Sequence, residues 1–192
     1  MAAPETGEGA NDGLFGFLSR RRFLRATLVT GGAVLGLGGA GLLALRGRAP
    51  EVEGLAVLDS HEYKTVQSLI EVMFPRTEAV PVDVASMELG RAFDEFLAGE
   101  PAHNVKDLKS ALVLIEFGPL AFDARPTTFS RLDPDARLAH WNSWATSDVL
   151  LRRQVSIAMR KFFNLVFFDH EAVWPYIGYP GPSMLRSRRV RQ

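Results

Sequence analysis

Between Asp59 and Phe168 apolar residues recur every three or four positions and almost never every second one. That spacing fits the 3.6-residue turn of a helix and not the two-residue pleat of a strand, so the body of the chain reads as all-α. Asp59-Ser60-His61-Glu62 has the form of a capping box. It opens a helix whose inner stripe is Tyr63, Val66, Leu69, Ile70, Met73 and Phe74, stopped by Pro75. Asp83 is placed to cap a second helix burying Val84, Met87, Ala92, Phe93, Phe96 and Leu97, which ends near Gly99-Glu100-Pro101. Asn104 is placed to cap a third, with Val105, Leu108, Leu112 and Ile115 inward and Gly118-Pro119 as its stop. Asp133-Pro134 reads as an N-cap followed by proline at the first helical position, with Leu138, Trp141 and Ala145 inward. The longest run, Asp148 to Phe168, turns Leu151, Val155, Ala158, Met159, Phe162, Val166 and Phe167 to the core. No repeat of 20–50 residues is visible, which excludes a solenoid and leaves a single helical domain of about five helices.

The last helix carries more apolar residues than one stripe accommodates, including Leu150, Ile157, Leu165 and Phe168. Two explanations fit: a central helix surrounded by the others, or a face reserved for a partner protein. Directly after it comes Trp174-Pro175-Tyr176-Ile177-Gly178-Tyr179-Pro180-Gly181-Pro182. Three prolines and two glycines in nine residues forbid a helix and impose a stiff, turn-rich strap. A stiff loop displaying Trp and Tyr loses little entropy on binding, and such side chains dominate interface hot spots. The strap therefore supplies the candidate partner-binding residues, Trp174, Tyr176, Ile177, Gly178, Tyr179, Pro180, Gly181 and Pro182. Folding back over the domain's own core is the alternative use, and one aromatic can point inward while the next points out.

The chain has 192 residues and no cysteine, which excludes disulfides, Cys-ligated zinc or iron–sulfur clusters and a thiol nucleophile. Its 22 basic residues balance its 22 acidic ones, so no dedicated nucleic-acid-binding character is expected. Polar motifs for chemistry are scarce. Glu100-Pro101-Ala102-His103 spells the E-x-x-H of di-iron helices, but Pro101 breaks the required helix and no second copy exists. His170, with Asp169 and Glu171 on either side, is a conceivable acid–base pair at the end of the long helix, where a cation favoured by the helix dipole is the simpler reading. Every other polar pair, those at His61, His103 and His140 included, reads as solvated helix or loop surface. No catalytic or metal-ligating residue is assigned.

The balanced total hides a split. Residues 1–50 hold six arginines and three acids, whereas the remainder holds 22 − 6 = 16 basic and 22 − 3 = 19 acidic residues. Ser19-Arg20-Arg21-Arg22-Phe23-Leu24-Arg25 precedes twenty uncharged residues, Ala26 to Leu45. A basic segment leading into an apolar one is the layout of an export signal. Ser19, Arg20, Arg21, Phe23, Leu24 and the basic Arg25 closely resemble the twin-arginine translocation signal, Arg25 standing where that family most often has Lys. Twenty apolar residues are also just long enough for a membrane anchor, but six of them are glycine, which lowers helix propensity and hydrophobicity together. Cleavage and retention as an anchor both remain open. Gly36-Leu37-Gly38-Gly39-Ala40-Gly41 matches the dinucleotide-binding G-x-G-x-x-G only in letters, since Pro50 and the absence of a later βαβ unit deny it the required setting. The expected layout is an export segment (1–50), a helical domain (51–183) and a basic tail (184–192).

The early helix ending in Phe74-Pro75, and above all the Trp174 … Ile177-Gly178-Tyr179-Pro180-Gly181-Pro182 terminus, resemble the gluconate 2-dehydrogenase subunit 3 family. These are the small (gamma) subunits of membrane-associated, flavin-dependent sugar and alcohol dehydrogenases. The resemblance spans roughly residues 55–183 in layout and agrees with the twin-arginine head. It implies a non-catalytic subunit that binds no cofactor itself and joins a GMC-type flavoprotein large subunit carrying FAD, often with a multihaem cytochrome c subunit. It further implies that this chain supplies the twin-arginine address for a folded partner lacking one, with a periplasmic, membrane-associated destination. The long leader 1–18 and the basic tail depart from the family's pattern. Two other classes fit the composition: a free-standing exported helical protein holding an apolar ligand, and an enzyme built around His170.

Overall fold

A computed structural model describes Ala44 and residues 46–182. The twin-arginine segment Ser19–Arg25, the glycine-rich stretch after it and the basic tail 184–192 lie outside the described residues. From Ser60 on, among the described residues, six α-helices follow one another: α1 (Ser60–Met73), α2 (Leu89–Ala98), α3 (Ala102–Glu116), α4 (Gly118–Asp123), α5 (Pro134–Ala145) and α6 (Leu150–Asp169). Short 3₁₀ turns occupy Val84–Met87 and Phe129–Arg131, and the described residues contain no strand. The fold is all-α.

Local chemistry sets most helix ends. The Asp59 side chain accepts the Glu62 N–H while the Glu62 side chain accepts the Asp59 N–H, a complete capping box on α1. Asp133 accepts the Ala136 N–H ahead of Pro134. Two boundaries differ from the expectation. Asn104 does not cap α3, which begins at Ala102 after Pro101. Asn104 is instead buried inside it and donates to Glu100 Oε2 at 2.8 Å. The helix expected from Asp83 is split: Asp83 caps only the 3₁₀ turn, and Glu88, at φ 48°, reverses the backbone before α2. The reason lies in Met87 and Leu89, both fully buried. Residues two apart sit about 200° apart on one continuous helix, and the break lets both turn toward the same core. Gly118-Pro119 ends α3 as expected, but the same proline then starts the short α4, raising the helix count from five to six.

The hub of the domain is α1, which packs against α2, α3, α5 and the Phe129–Arg131 turn. The last helix is therefore not the surrounded one. It lies mainly against α5 and α2, meeting α2 through an aromatic seam in which Phe93 stacks on Phe163 at 4.5 Å and Phe96 meets Phe162 at 5.7 Å. Gly90 permits the close α1–α2 crossing, since a Cβ there would lie 2.7 Å from Gln67 Nε2 and 2.9 Å from the Tyr63 ring. On α5 the buried face is His140, Trp141 and Trp144, while Leu138 and Ala145, expected inside, are exposed. Two indoles remove far more apolar surface from water than one leucine, and they set the rotation of the helix.

The irregular segment before α1 is held by one side chain. Asp94, 2% exposed on α2, accepts the backbone N–H groups of Ala56 (2.5 Å), Val57 (3.0 Å) and Leu58 (2.7 Å). Glu116 plays the equivalent part on α3, taking Thr65 Oγ1 from α1 and both the N–H and the hydroxyl of Ser130. Asp94→Ala leaves three donors without their acceptor. We expect it to destabilise the domain by about 3 kcal/mol in urea unfolding, and to speed hydrogen exchange at Ala56–Leu58 selectively. Asp94→Asn, which keeps one acceptor oxygen, should lose less.

Candidate functional site

Three places concentrate unusual chemistry or exposure: the strap, the outward face of α6, and a buried histidine. The strap leaves α6 through His170, whose Nδ1 accepts the Ala172 N–H in a tight turn. Trp174 is half-buried, and its indole N–H donates to the Phe168 carbonyl at 3.1 Å. Its ring meets Tyr179 edge-on at 5.3 Å, and the Tyr179 N–H returns to the Trp174 carbonyl at 3.0 Å. Gly181 is buried against the other part of this indole. At φ 84°, with a Cβ that would sit 3.1 Å from Trp174 Cζ3, the position requires glycine. Gly178, at φ 68°, makes the preceding turn. Trp174 and Gly181 thus form the strap's inner half, and Tyr176, Ile177 and Tyr179 its outer half, with Pro180 and Pro182 also exposed.

That outer half continues onto α6. Ile157, Lys161, Asn164, Leu165 and Phe168 follow helical spacing along one exposed side. The apolar members Ile157, Leu165, Phe168, Tyr176, Ile177 and Tyr179 are each 44–52% exposed. Two open grooves flank Leu165. One, of about 860 Å³, runs between Ala92, Glu95 and Phe96 of α2 and Leu165, Val166 and Asp169 of α6, closed at its end by His170 and Glu171. The other, of about 570 Å³, lies between α6 and Tyr179 of the strap. Apolar floors and a stiff aromatic border are the ingredients of a protein-binding surface. Of the strap residues singled out from the sequence, Tyr179 lines the smaller groove, Tyr176, Ile177, Gly178, Pro180 and Pro182 are exposed, and Trp174 and Gly181 face inward. The groove on the α2 side was not foreseen, because only packing places Phe96 beside Leu165.

The buried histidine is a correction. His140 does not lie on a solvated helix surface; it is 4% exposed beneath α4. Its Nδ1 is 2.6 Å from Asp123 Oδ2, and the Trp144 indole N–H donates to its Nε2 at 3.0 Å. An indole is a donor only, so Nε2 must accept and Nδ1 must carry the proton toward Asp123. The tautomer is fixed. Arg152 completes the cluster, donating to Ser143 Oγ at 2.6 Å with its guanidinium over the Phe122 and Trp144 rings. Gly118 closes it from above, since a Cβ there would fall 2.8 Å from both His140 Nε2 and Trp144 Cζ2. Burial lowers the His140 pKa from its ordinary 6.5, against the pull of Asp123 and with help from Arg152 and Arg125.

An Asp–His pair resembles the orienting half of a catalytic triad, but here the nitrogen that would take a proton is occupied by Trp144. The cluster's geometry suits cross-bracing of α4, α5 and α6. His170, the other acid–base candidate, has Nδ1 committed to the Ala172 turn, and Glu100 and His103 share no helix. Among the described residues no group of three or more His, Asp or Glu is arranged to hold a metal ion, and no helix is long and apolar enough to cross a membrane. No family model, curated protein or solved structure matches the chain.

Below the ordinary histidine pKa the unfolded chain binds a proton at His140 that the folded one refuses. The stability this residue provides is therefore complete above about pH 6.5 and is lost progressively as the pH falls through the lowered folded value. Urea midpoints should fall between pH 7 and pH 5, and His140→Gln, which can still accept from Trp144 and donate to Asp123, should flatten that slope.

Proposed function

We propose that this chain is the non-catalytic small subunit of an FAD-dependent, GMC-type dehydrogenase complex. It escorts the folded flavoprotein through twin-arginine export and stabilises it at the periplasmic face of the membrane. The observation carrying this reading is the set of large apolar side chains exposed on the outer side of α6 and on the strap, joined where Leu165, Phe168 and Tyr179 line one groove, on a chain whose head resembles the twin-arginine pattern. Large hydrophobic side chains at 44–52% exposure, aligned on one helix and extended by a rigid aromatic loop, form a surface better covered than left in water. Twin-arginine export carries proteins already folded, usually around a cofactor. On this reading the cofactor belongs to the cargo, as the resemblance to the small-subunit family implies. Trp174 acts indirectly here, holding Tyr176, Ile177 and Tyr179 outward, while FAD, substrate and any cytochrome contact belong to the partner.

Leu165→Asp and Tyr179→Ala should each weaken co-purification with the flavoprotein while leaving the isolated chain's helicity intact. The Tyr179 substitution should cost about 2 kcal/mol of association energy, read by titration calorimetry. Unchanged association would refute the surface assignment. The address is tested separately: Arg20→Lys with Arg21→Lys keeps the charge and removes both guanidinium forks. Both this chain and its flavoprotein should then accumulate in the cytoplasm in fractionated cells, and continued export of the flavoprotein would refute the escort role. A free-standing binder of apolar ligands would behave differently, purifying as a soluble monomer with no flavoprotein attached.

A further inference from the structure

The larger groove has apolar lining (Ala92, Phe96, Leu165, Val166) and acidic lining in which Glu95 on α2 is joined by Asp169 at the end of α6 and Glu171 in the turn after it, with His170 between them. Such a groove selects a ligand that is basic and apolar at once. Residues 183–192 of this chain read Ser-Met-Leu-Arg-Ser-Arg-Arg-Val-Arg-Gln, with four arginines (Arg186, Arg188, Arg189, Arg191) set among Met184, Leu185 and Val190, and no acid. We propose that this C-terminal segment docks across the α2–α6 groove of its own chain, its arginines on the acidic side chains and its apolar residues on the apolar floor.

The chain's path makes this a short reach. Tyr179 borders the smaller groove, which shares Leu165 and Asp169 with the larger one, and Pro182 follows three residues later. Ten residues span up to about 33 Å when extended, whereas packed helix axes lie only about 8–10 Å apart. The strap, pinned by Trp174 and Gly181, fixes the point from which the segment departs. Among the described residues no Lys or Arg lines the larger groove, and Lys161 lines the smaller one together with Asp169. Docking would shield the floor in the isolated chain, and it needs no partner protein to occur. At an effective concentration on the order of 1 mM, an intrinsic affinity of about 0.1 mM gives roughly tenfold protection of the groove.

Because the chain has no cysteine, Leu165→Cys places a unique thiol on the floor, at a position 52% exposed. Maleimide labelling would be compared in the full chain, in a chain ending at Pro182, and in a full chain with Arg186, Arg188, Arg189 and Arg191 changed to Glu. Circular dichroism checks that each is folded, and Ala92→Cys provides a second floor position. The expected result is labelling about tenfold slower in the full chain than in the other two, independent of protein concentration and relieved by high salt. A synthetic 183–192 peptide added to the truncated chain should restore protection. Equal rates in the full and truncated chains overturn the proposal. Protection that vanishes on dilution assigns the groove to a second copy, and protection that survives loss of 183–192 but not of 1–45 assigns it to the leader; either result overturns it as well.

Discussion

Three polar side chains taken out of water find their partners inside the domain, and their hydrogen bonds organise the structure. Asp94 collects three successive N–H groups from a segment with no regular structure of its own. Glu116 joins α1 and α3 to the Phe129–Arg131 turn, and His140 joins α4 to α5. Left unpaired, each would cost about 1–3 kcal/mol or more, a large share of a stability of about 5–15 kcal/mol. Paired, they fix where the connecting segments run. The apolar contacts around α1 supply the driving force for collapse, and the polar contacts select one arrangement of the connections.

The last helix serves two surfaces at once. Its inner side contributes Phe162 and Phe163 to the seam with α2, while Phe167 stacks on Phe74 at 4.2 Å beyond the end of α1. Its outer side presents Ile157, Leu165 and Phe168 to solvent. Because the inner seam is aromatic and closely stacked, the outer face is held rigidly, as is the strap pinned by Trp174. Rigidity matters for the proposed function: side chains that are already ordered lose less freedom when a partner covers them. The α2–α6 groove adjoins the same packing, since Phe96 of the seam and Leu165 of the outer face both line it.

The contrast between His140 and the strap shows where reading a linear chain succeeds. The strap's stiffness follows from Pro175, Pro180, Pro182 and its glycines, whose backbone preferences act within one or two residues. The importance of His140 does not. Its i,i+4 spacing to Trp144 was visible, but Asp123 lies 17 positions upstream on another helix, and Gly118 contributes only by having no side chain. Leu138 was assigned inward by spacing alone, yet the burial of Trp141 and Trp144 rotated α5 away from it. The break at Glu88 likewise serves two buried neighbours, Met87 and Leu89, and no propensity marks it.

What the sequence determined by itself was the helical class, the capping of α1 by Asp59 and of α5 by Asp133, the proline stops and the non-helical strap. Each of these depends on atoms within about four residues of one another, where chain connectivity already fixes the geometry. Only the tertiary structure decided that α1 is the hub, that α6 keeps an open face, and that Asp94, Glu116 and His140 are buried with partners. Apart from Trp144, four residues from His140, the partners cited for these side chains lie 14 to 51 residues away. Whether a polar side chain meets water or another side chain at such separations is settled by how the apolar faces pack, and that sum over the whole chain has no local signature.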